Sequence, residues 1–429
     1  MTEPQMPFSS AFFFFFFFLS SSSVSESAAL ATRPIRALVA PIKRDDRTSL
    51  YTLPLNAKKQ EFVLDITGDL LWSECSPKSH HPLIPCKSHY CTYANTFRSP
   101  LCRATRGPID KHHCTCSVAP LNPVTQTCAV ADLTHRSDLL LSATNGRSPT
   151  SAPVSVPRFV SSCAPKSLFV SLPSAAAGVA GLGRSRIGLP SQLSKSLSIK
   201  RRFAICLPGS GSSAPGVAFF GDGPYFFLPQ PGLDATRVLS YTPLLKNPTN
   251  PGYYIDVKAV AVNGELVRFL ARVLAFDADG CGGVKLSTSA PYTILKSHVY
   301  RAVVKAFAEA TRGIPRALPP MVEPFDLCLN TSGVGKSRVG PWVPRVDLVL
   351  GSGQNWTIFG ENSMKRVSSD VACLAVVDGG EKAPQAAVIG SHQLENNFLL
   401  FDVAGSRLGF SSTLSFFRTT CSNFNFTSS

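Results

Sequence analysis

Acidic residues are scarce in this chain: 27 Asp and Glu stand against 42 Lys and Arg, for a formal net charge of +15 over 429 residues. Past the first twenty residues there is no apolar run of the roughly 20 residues that a membrane-spanning helix needs, so no membrane anchor is expected. Sustained apolar heptads are missing too, which argues against a helical architecture. Paired Cys-x2-Cys knuckles are absent. Cys114-Thr-Cys116 is too tight and has no counterpart, and the adjacent pairs His80-His81 and His112-His113 lack ligand spacing, so neither a metal nor a cofactor is expected. The glycine-rich stretch 174–193 has no Gly-Lys-Ser/Thr and is not a phosphate loop. No basic helix, zinc finger or RNP-like aromatic strand accompanies the positive charge, which argues against nucleic acid as partner.

What is abundant points elsewhere. Phe is used 29 times, Pro 34 times, and apolar residues make up 44% of the chain, as in an all-β, loop-rich protein with a sizeable core. The run Ala11–Leu19 contains seven consecutive Phe and is followed by small residues, so residues 1–29 read as a secretory signal. Ser25, Ala29 and Ala31 are candidate cleavage points, and the alternative is a low-complexity tail. Removing Glu3 and Glu26 with that segment raises the net charge from +15 to +17. For an exported protein this charge suits an acidic secreted enzyme or an acidic wall polysaccharide, or serves solubility alone. Thirteen cysteines fit an oxidising compartment. Cys75, Cys86, Cys91, Cys102, Cys114, Cys116, Cys128, Cys163, Cys206, Cys328, Cys373 and Cys421 are disulfide candidates, and Cys281, in a Gly-rich turn, is the candidate free thiol. Asn330, Asn355 and Asn425 head glycosylation sequons.

Strand character runs through Leu38–Pro41, Leu50–Leu55 and Phe62–Leu64. Residues 76–128 read as disulfide-pinned loops. Tyr253–Val262 reads as a strand closed by an Asn263-Gly264 type I′ turn. Tyr292–Ala310 takes helical spacing through Ile294 or Leu295, Val299, Val303 and Phe307. Val388–Gly390, Asn397–Asp402 and Arg407–Phe410 read as strands around a short turn.

The stretch Val63-Leu-Asp-Ile-Thr-Gly-Asp-Leu-Leu-Trp72 resembles the active-site strand and loop of the pepsin-like aspartic peptidases, with Asp65 seven residues ahead of Trp72. Ser174–Leu193, with its Gly-Leu-Gly-Arg and Ser-Gln-Leu, Phe219–Gly223, Tyr241–Leu245 and the closing Val388–Phe410 segments resemble the same family in the same order. The resemblance implies a bilobal, disulfide-rich all-β fold with a few short helices, its lobes spanning 30–240 and 241–429. It also implies two carboxylates sharing a proton about 3 Å apart. Here the first loop reads Asp65-Ile66-Thr67 with its Gly one place late, and the second loop places Ser287-Thr288-Ser289 on the family's Asp-Ser/Thr-Gly. A serine hydroxyl cannot carry the shared proton at a useful pKa. Asp277 and Asp279 fall in the preceding loop, and His298, the nearest His to Ser287, is expected to face away on its helix. No Tyr lies between Tyr93 and Tyr225, where the family's cleft-covering hairpin belongs, and Val118–Gln126 offers Val118 or Leu121 instead. Asp65 and Ser287 are therefore expected to be vestigial, with no intact catalytic pair.

Leu38–Lys43, Ser49–Thr52, Leu71–Cys75, Gly282–Leu295 and Cys421–Thr427 resemble a plant branch of that family. It holds TAXI-type xylanase inhibitors, extracellular dermal glycoprotein and basic 7S globulin. That resemblance implies a secreted, proteolytically inactive protein of the cell wall or apoplast that inhibits microbial cell-wall-degrading glycoside hydrolases in plant defence. Alternatives are a storage or stress-responsive extracellular binding protein and a residual aspartic endopeptidase. Xylanase-inhibiting members present a His shortly before the last Cys. Leu414–Thr420 has none, so an endoglucanase is the preferred target, with Arg418 the candidate contact. The opposing reading has Phe416 and Phe417 closing the lobe and Arg418 merely solvated.

Overall fold

Val217-Ala218-Phe219-Phe220 is apolar at every position, so whichever way its side chains alternate it must be covered on both faces. In the computed structural model it lies in the strand Gly216–Gly221, at the heart of an eight-stranded antiparallel sheet; Pro149–Val156 and Leu139–Thr144 form one end, and six strands follow from there. The order is Ala37–Arg44, Gly216–Gly221, Arg202–Cys206, Phe398–Asp402, Arg407–Phe410 and Ser240–Leu245. One face buries Phe203, Phe220 and Phe401, the first and last stacked with centroids 4.5 Å apart and planes 2° from parallel. The other buries Phe219, Tyr225, Phe227, Phe398 and Phe424. Much of the heavy Phe usage is spent on these two faces. The structure describes residues 1, 35–56, 58–74, 81–97, 102, 114–229, 232–318 and 322–427; apart from Met1, the expected signal at 1–29 lies outside them.

Two further sheets repeat one motif, as the bilobal expectation requires. In the amino-terminal half, Ala176–Gly181 runs parallel to Glu61–Asp65 and antiparallel to Leu71–Glu74. In the carboxyl-terminal half, Ala387–Ile389 runs parallel to Val284–Leu286 and antiparallel to Thr293–Leu295. Each time, a late strand threads between the two arms of an earlier strand–loop–strand, and a short helix follows it. The helix Leu189–Leu197 carries Gln192, whose buried amide bonds the Val160 backbone on both sides (2.8 and 2.9 Å). The helix Ser391–Leu394 carries Gln393, which accepts from Thr293 Oγ1 (2.8 Å) and donates to the carbonyls of Asn362 and Ala375. Ser191-Gln-Leu193 and His392-Gln-Leu394 are thus the same device in both halves.

The long helix begins later than its periodicity predicts. It spans Ser297–Ala310 and buries Val299, Tyr300, Val303 and Phe307, whereas Thr293–Leu295 is a strand. Ile294 and Leu295 sit in phase with the helix, but pairing with Ala387–Ile389 and Val376–Asp378 outweighs local spacing. The expected Tyr253–Val262 strand is two, Tyr254–Ile255 and Val257–Val262. The turn after it has positive φ at both Asn263 (52°) and Gly264 (88°), as type I′ demands.

Five disulfides join Cys86 to Cys114, Cys91 to Cys116, Cys102 to Cys128, Cys206 to Cys421 and Cys328 to Cys373. Cys163 is also disulfide-bonded, and Cys75 lies outside the described residues. Cys281 is free and half-buried. The Cys206–Cys421 bond spans 215 residues and fixes the carboxyl terminus to the central sheet. By loop-closure entropy it stabilises by about 5 kcal/mol, against about 4 kcal/mol for the 45-residue Cys328–Cys373 loop. The double variant Cys206→Ser/Cys421→Ser is therefore expected to lower the unfolding midpoint in urea more than Cys328→Ser/Cys373→Ser does. Equal losses would show that the terminal clip adds nothing beyond a local staple.

Candidate functional site

The two repeated motifs bring their loops together. Thr288 Oγ1 donates to the carbonyl of Leu64 (2.6 Å) and accepts from the N–H of Ile66 (3.3 Å), so the loop after Leu286 is bonded to the loop at Asp65. The matching position on the other side is Ile66, fully buried and without a hydroxyl to return the bonds. The junction is therefore polar from one side only.

Asp65 ends its strand and is 4% exposed. Its Oδ1 accepts from the N–H (2.8 Å) and the hydroxyl (2.7 Å) of Thr67. The Ile-Thr sequence thus supports the carboxylate through Thr67, which the sequence reading did not anticipate. Gly68 is required beside it, since a Cβ there would stand 2.9 Å from Asp65 Oδ2. Ser287 plays the matching part in the facing loop. Its Oγ accepts from the N–H groups of Ser289 (3.2 Å) and Ala290 (3.1 Å) and lies 3.1 Å from Ser289 Oγ. Both side chains cap their own turns.

Asp277 and Asp279 stand in an exposed loop, where Asp277 Oδ1 accepts from the N–H groups of Asp279 and Cys281. His298 occupies the first turn of its helix, and Ser287 bonds within its own turn instead.

Two groups at this site were missed in the sequence. Lys285, two residues before Ser287, is half-buried; its side chain passes the Gly252 backbone, and a Cβ on Gly252 would meet Lys285 Cε at 3.0 Å and Thr67 Cβ at 3.6 Å. Burial pushes its ammonium pKa down, and the nearby Asp65 charge partly restores it. Asp69 has its carboxyl pushed up to about 7, chiefly by burial, while its own N–H and that of Leu70 oppose the shift and the Asp65 charge adds to it. The available signals were a Lys inside an otherwise apolar strand and a second acid four residues after the first.

The stretch 117–132, where the cleft-covering hairpin was expected, forms a hairpin. Ser117–Val118 pairs with Ala131–Asp132, Leu121 bridges Cys128, and the tip spans 122–127. Asn122 Nδ2 ties that tip to the carbonyls of Leu168 and Val170, each at 2.8 Å. Val118 is buried and Leu121 half-buried.

At the far end of the chain, Phe416 and Phe417 are 51% and 46% exposed, so they do not close the lobe. Phe416 rests edge-on against Phe359 at 4.7 Å, and Arg418 follows, exposed and left-handed (φ 56°). The turn Leu414–Phe417 is anchored from beneath, because Glu361 Oε2 accepts from Thr413 Oγ1 and Ser415 Oγ, each at 3.0 Å, and the Thr419 hydroxyl bonds the Leu228 carbonyl. Among the sequons, Asn355 is exposed and Asn330 and Asn425 are half-buried. Among the described residues no cluster of His, Cys, Asp or Glu could hold a metal ion, and no helix is long and apolar enough to cross a membrane.

The raised Asp69 carboxyl carries a pH dependence. Its folded value lies above the ordinary 3.8, so its contribution is complete below about pH 4 and is lost as pH rises through about 7. At about 1.36 kcal/mol per pKa unit the loss is at most about 4 kcal/mol. Asp69→Asn should therefore gain stability relative to the parent between pH 4 and pH 8 in urea titrations; a difference that is flat or falls with pH would show that Asp69 ionises freely.

The family descriptions "Xylanase inhibitor N-terminal" and "Xylanase inhibitor C-terminal" match residues 52–222 and 252–412. The chain is 44% identical to "Chitinase CLP" of Oryza sativa subsp. japonica, over 91% of this chain and 92% of that one. It is 38% identical to "Probable aspartic proteinase GIP2" of Nicotiana benthamiana, over 92% of each. Among solved structures, edgp superposes with a TM-score of 0.83 at 40% identity, over 92% of this chain and 99% of that one. Soybean basic 7S globulin superposes with a TM-score of 0.74 at 32% identity, over 91% and 99%. With both halves matched in order and the duplicated strand–loop–strand motif in place, the chain belongs to the plant xylanase-inhibitor-type branch of the pepsin-like family.

Proposed function

We propose that this chain is a secreted, proteolytically inactive member of its branch that inhibits microbial cell-wall-degrading glycoside hydrolases in plant defence. On this reading Ser287 occupies the position of the second catalytic acid. Its hydroxyl is spent on the turn at Ser289 and Ala290 and cannot share a proton with Asp65. Peptide hydrolysis then lacks the group that would accept or hold the second proton.

The observation that carries the inhibitory reading is the turn at Phe416-Phe417-Arg418. Two half-exposed aromatic rings and a guanidinium stand together on a turn held by Glu361. Aromatic residues and Arg are the types enriched at the centres of protein interfaces, and solvent gives no reason to hold two Phe there. A cation that follows two apolar rings in the same turn suits a cleft lined by carboxylates, as glycoside hydrolase clefts are. The family descriptions that match both halves carry the name xylanase inhibitor, which supports the target class. The absence of a His in this turn favours an endoglucanase over a xylanase. Export, the sequons and the wall or apoplast location belong to the same reading.

A second reading has one observation on its side. Asp65 lies close enough for its charge to add to the rise of the Asp69 carboxyl, which burial chiefly pushes up to about 7. A carboxyl raised toward neutrality beside a second acid is the raw material of glycoside hydrolysis, and the rice relative is named a chitinase.

Purified protein titrated against a xyloglucan-cleaving endoglucanase and a microbial xylanase should abolish one activity at a stoichiometric ratio and leave casein intact at acid pH. Phe416→Ala with Arg418→Ala should weaken that inhibition at least tenfold, about 1.4 kcal/mol or more. Casein cleavage blocked by pepstatin would sink the inactive reading. Turnover of chitin oligomers that disappears in Asp69→Asn would transfer the assignment to the second.

A further inference from the structure

Behind the Phe416 turn lies a cavity of about 580 Å³, within the range of small-ligand sites. It is walled by the loop 209–212, the hairpin 336–341, the strand Met364–Arg366 and the helix Ser391–Leu394 with the residues after it. The hairpin closes against its neighbour only because Gly340 has no side chain; a Cβ there would meet Glu361 N at 2.1 Å, and its φ is +96°.

The floor of this cavity is a polar cluster that satisfies itself. Glu395 is 4% exposed and takes Tyr51 Oη at 2.9 Å, Ser210 N at 2.8 Å and Ser210 Oγ at 2.9 Å, with Arg44 Nε at 3.8 Å. Burial pushes its carboxyl up, but the contacts to His392, Ser210 and Tyr51 hold it below its ordinary range, so the group is a carboxylate. His392, 6% exposed, has Nε2 at 3.2 Å from the Met364 carbonyl. A carbonyl only accepts, so Nε2 carries a hydrogen. Its Nδ1 has no hydrogen-bond partner and lies 3.5 Å from Glu395 Oε2. A hydrogen on Nδ1 would complete the His392–Glu395 pair, and the buried Nδ1 has no face open to the cavity.

The rim has the opposite character. Lys336, Lys365 and Arg366 line the cavity and, among the described residues, make no ion pair. Glu361 also lines it, but its oxygens are taken by Asn396, Thr413 and Ser415. A ligand that fits must bring an anionic group for the rim and hydroxyls for the Ser and Thr residues, among them Ser337 and Thr420, that line the cavity.

We infer that this cavity binds an acidic saccharide, a uronic acid unit of a wall polysaccharide whose carboxylate meets Lys365 and Arg366 and whose hydroxyls meet Ser337 and Thr420. The site gives the excess positive charge a defined place to act. It goes beyond the inhibitory reading and stands apart from the Phe416 turn's own task.

The test is calorimetric titration of the full protein with trigalacturonic acid, alongside the neutral galactose trimer and sodium sulfate at matched ionic strength. The acidic trimer should bind at least tenfold more tightly than either control. Lys365→Ala with Arg366→Ala, the first half-buried, the second exposed and both outside the Asp65 loops, should weaken it at least tenfold. No binding by the parent, equal binding of the neutral trimer or of sulfate, or undiminished binding by the double variant would each overturn the assignment. Hydrolase inhibition does not enter this readout, so each proposal can fail without the other.

Discussion

The antiparallel pairing of Arg202–Cys206 with Phe398–Asp402 is the constraint on which the rest of the structure depends. It joins segments almost two hundred residues apart and buries both faces of the joined sheet, so neither half can complete its core alone. Its end is fixed electrostatically. Arg202 reaches Asp402 at 2.9 Å and Asp222 at 3.0 Å, and Arg407 adds a second contact to Asp402 at 3.1 Å. Asp402 is nearly buried, and burial raises its carboxyl while the Gly405 N–H and both guanidinium groups bring it below the usual range. An unpaired carboxylate there would be costly, so both arginines are held to the sheet's end. Cys421 then closes the chain back onto Cys206 on the same sheet.

This shared sheet sets the spacing at which the two strand–loop–strand motifs face each other. The contact between them is polar through one side chain only, since Thr288 serves the Leu64 carbonyl and the Ile66 N–H while the Ile66 side chain contributes burial. A buried apolar side chain needs no partner, whereas a hydroxyl in its place would, so the exchange leaves no unsatisfied group. The loops thus keep their apposition while the chemistry between them changes: one carboxylate held by Thr67, a serine turned to its own backbone, and a half-buried lysine nearby. Geometry and reactivity are separable here because the sheet, not the site, holds the site together.

Much of this architecture was legible in the sequence for physical reasons. Val217–Phe220 announces two-sided burial, Asn263-Gly264 announces its turn, and Ser191-Gln192-Leu193 marks the helix after the threading strand. The recurrence of that device at His392-Gln393-Leu394 is harder to see, because the shared element is one amide whose partners are backbone groups far away in sequence. The start of the long helix was misread because Ile294 and Leu295 satisfy two periods at once, and only the late strand Ala387–Ile389 decides between them. Lys285 and Asp69 escaped notice because their significance is burial, which local spacing does not encode. The cavity gathers residues from 209 to 422, and no window of sequence contains it.

Exposure of Phe416 and Phe417 runs against the economy seen elsewhere in the molecule, where Phe is drawn into the central sheet. Leu414, in the same turn, is fully buried, so the turn had an apolar side to offer the core and uses it. The two rings are therefore not placed outside for want of room; the local backbone directs them there. Arg418 holds a left-handed conformation that a non-glycine residue adopts at some cost, and the hydrogen bonds from Thr413, Ser415 and Thr419 hold the turn in place around it. A surface ordered before any partner arrives loses less entropy when one binds. The same carboxylate that orders it, Glu361, also lines the cavity behind, so the features of this lobe most suited to recognition rest on one anchored segment and not on the loops at Asp65 and Ser287.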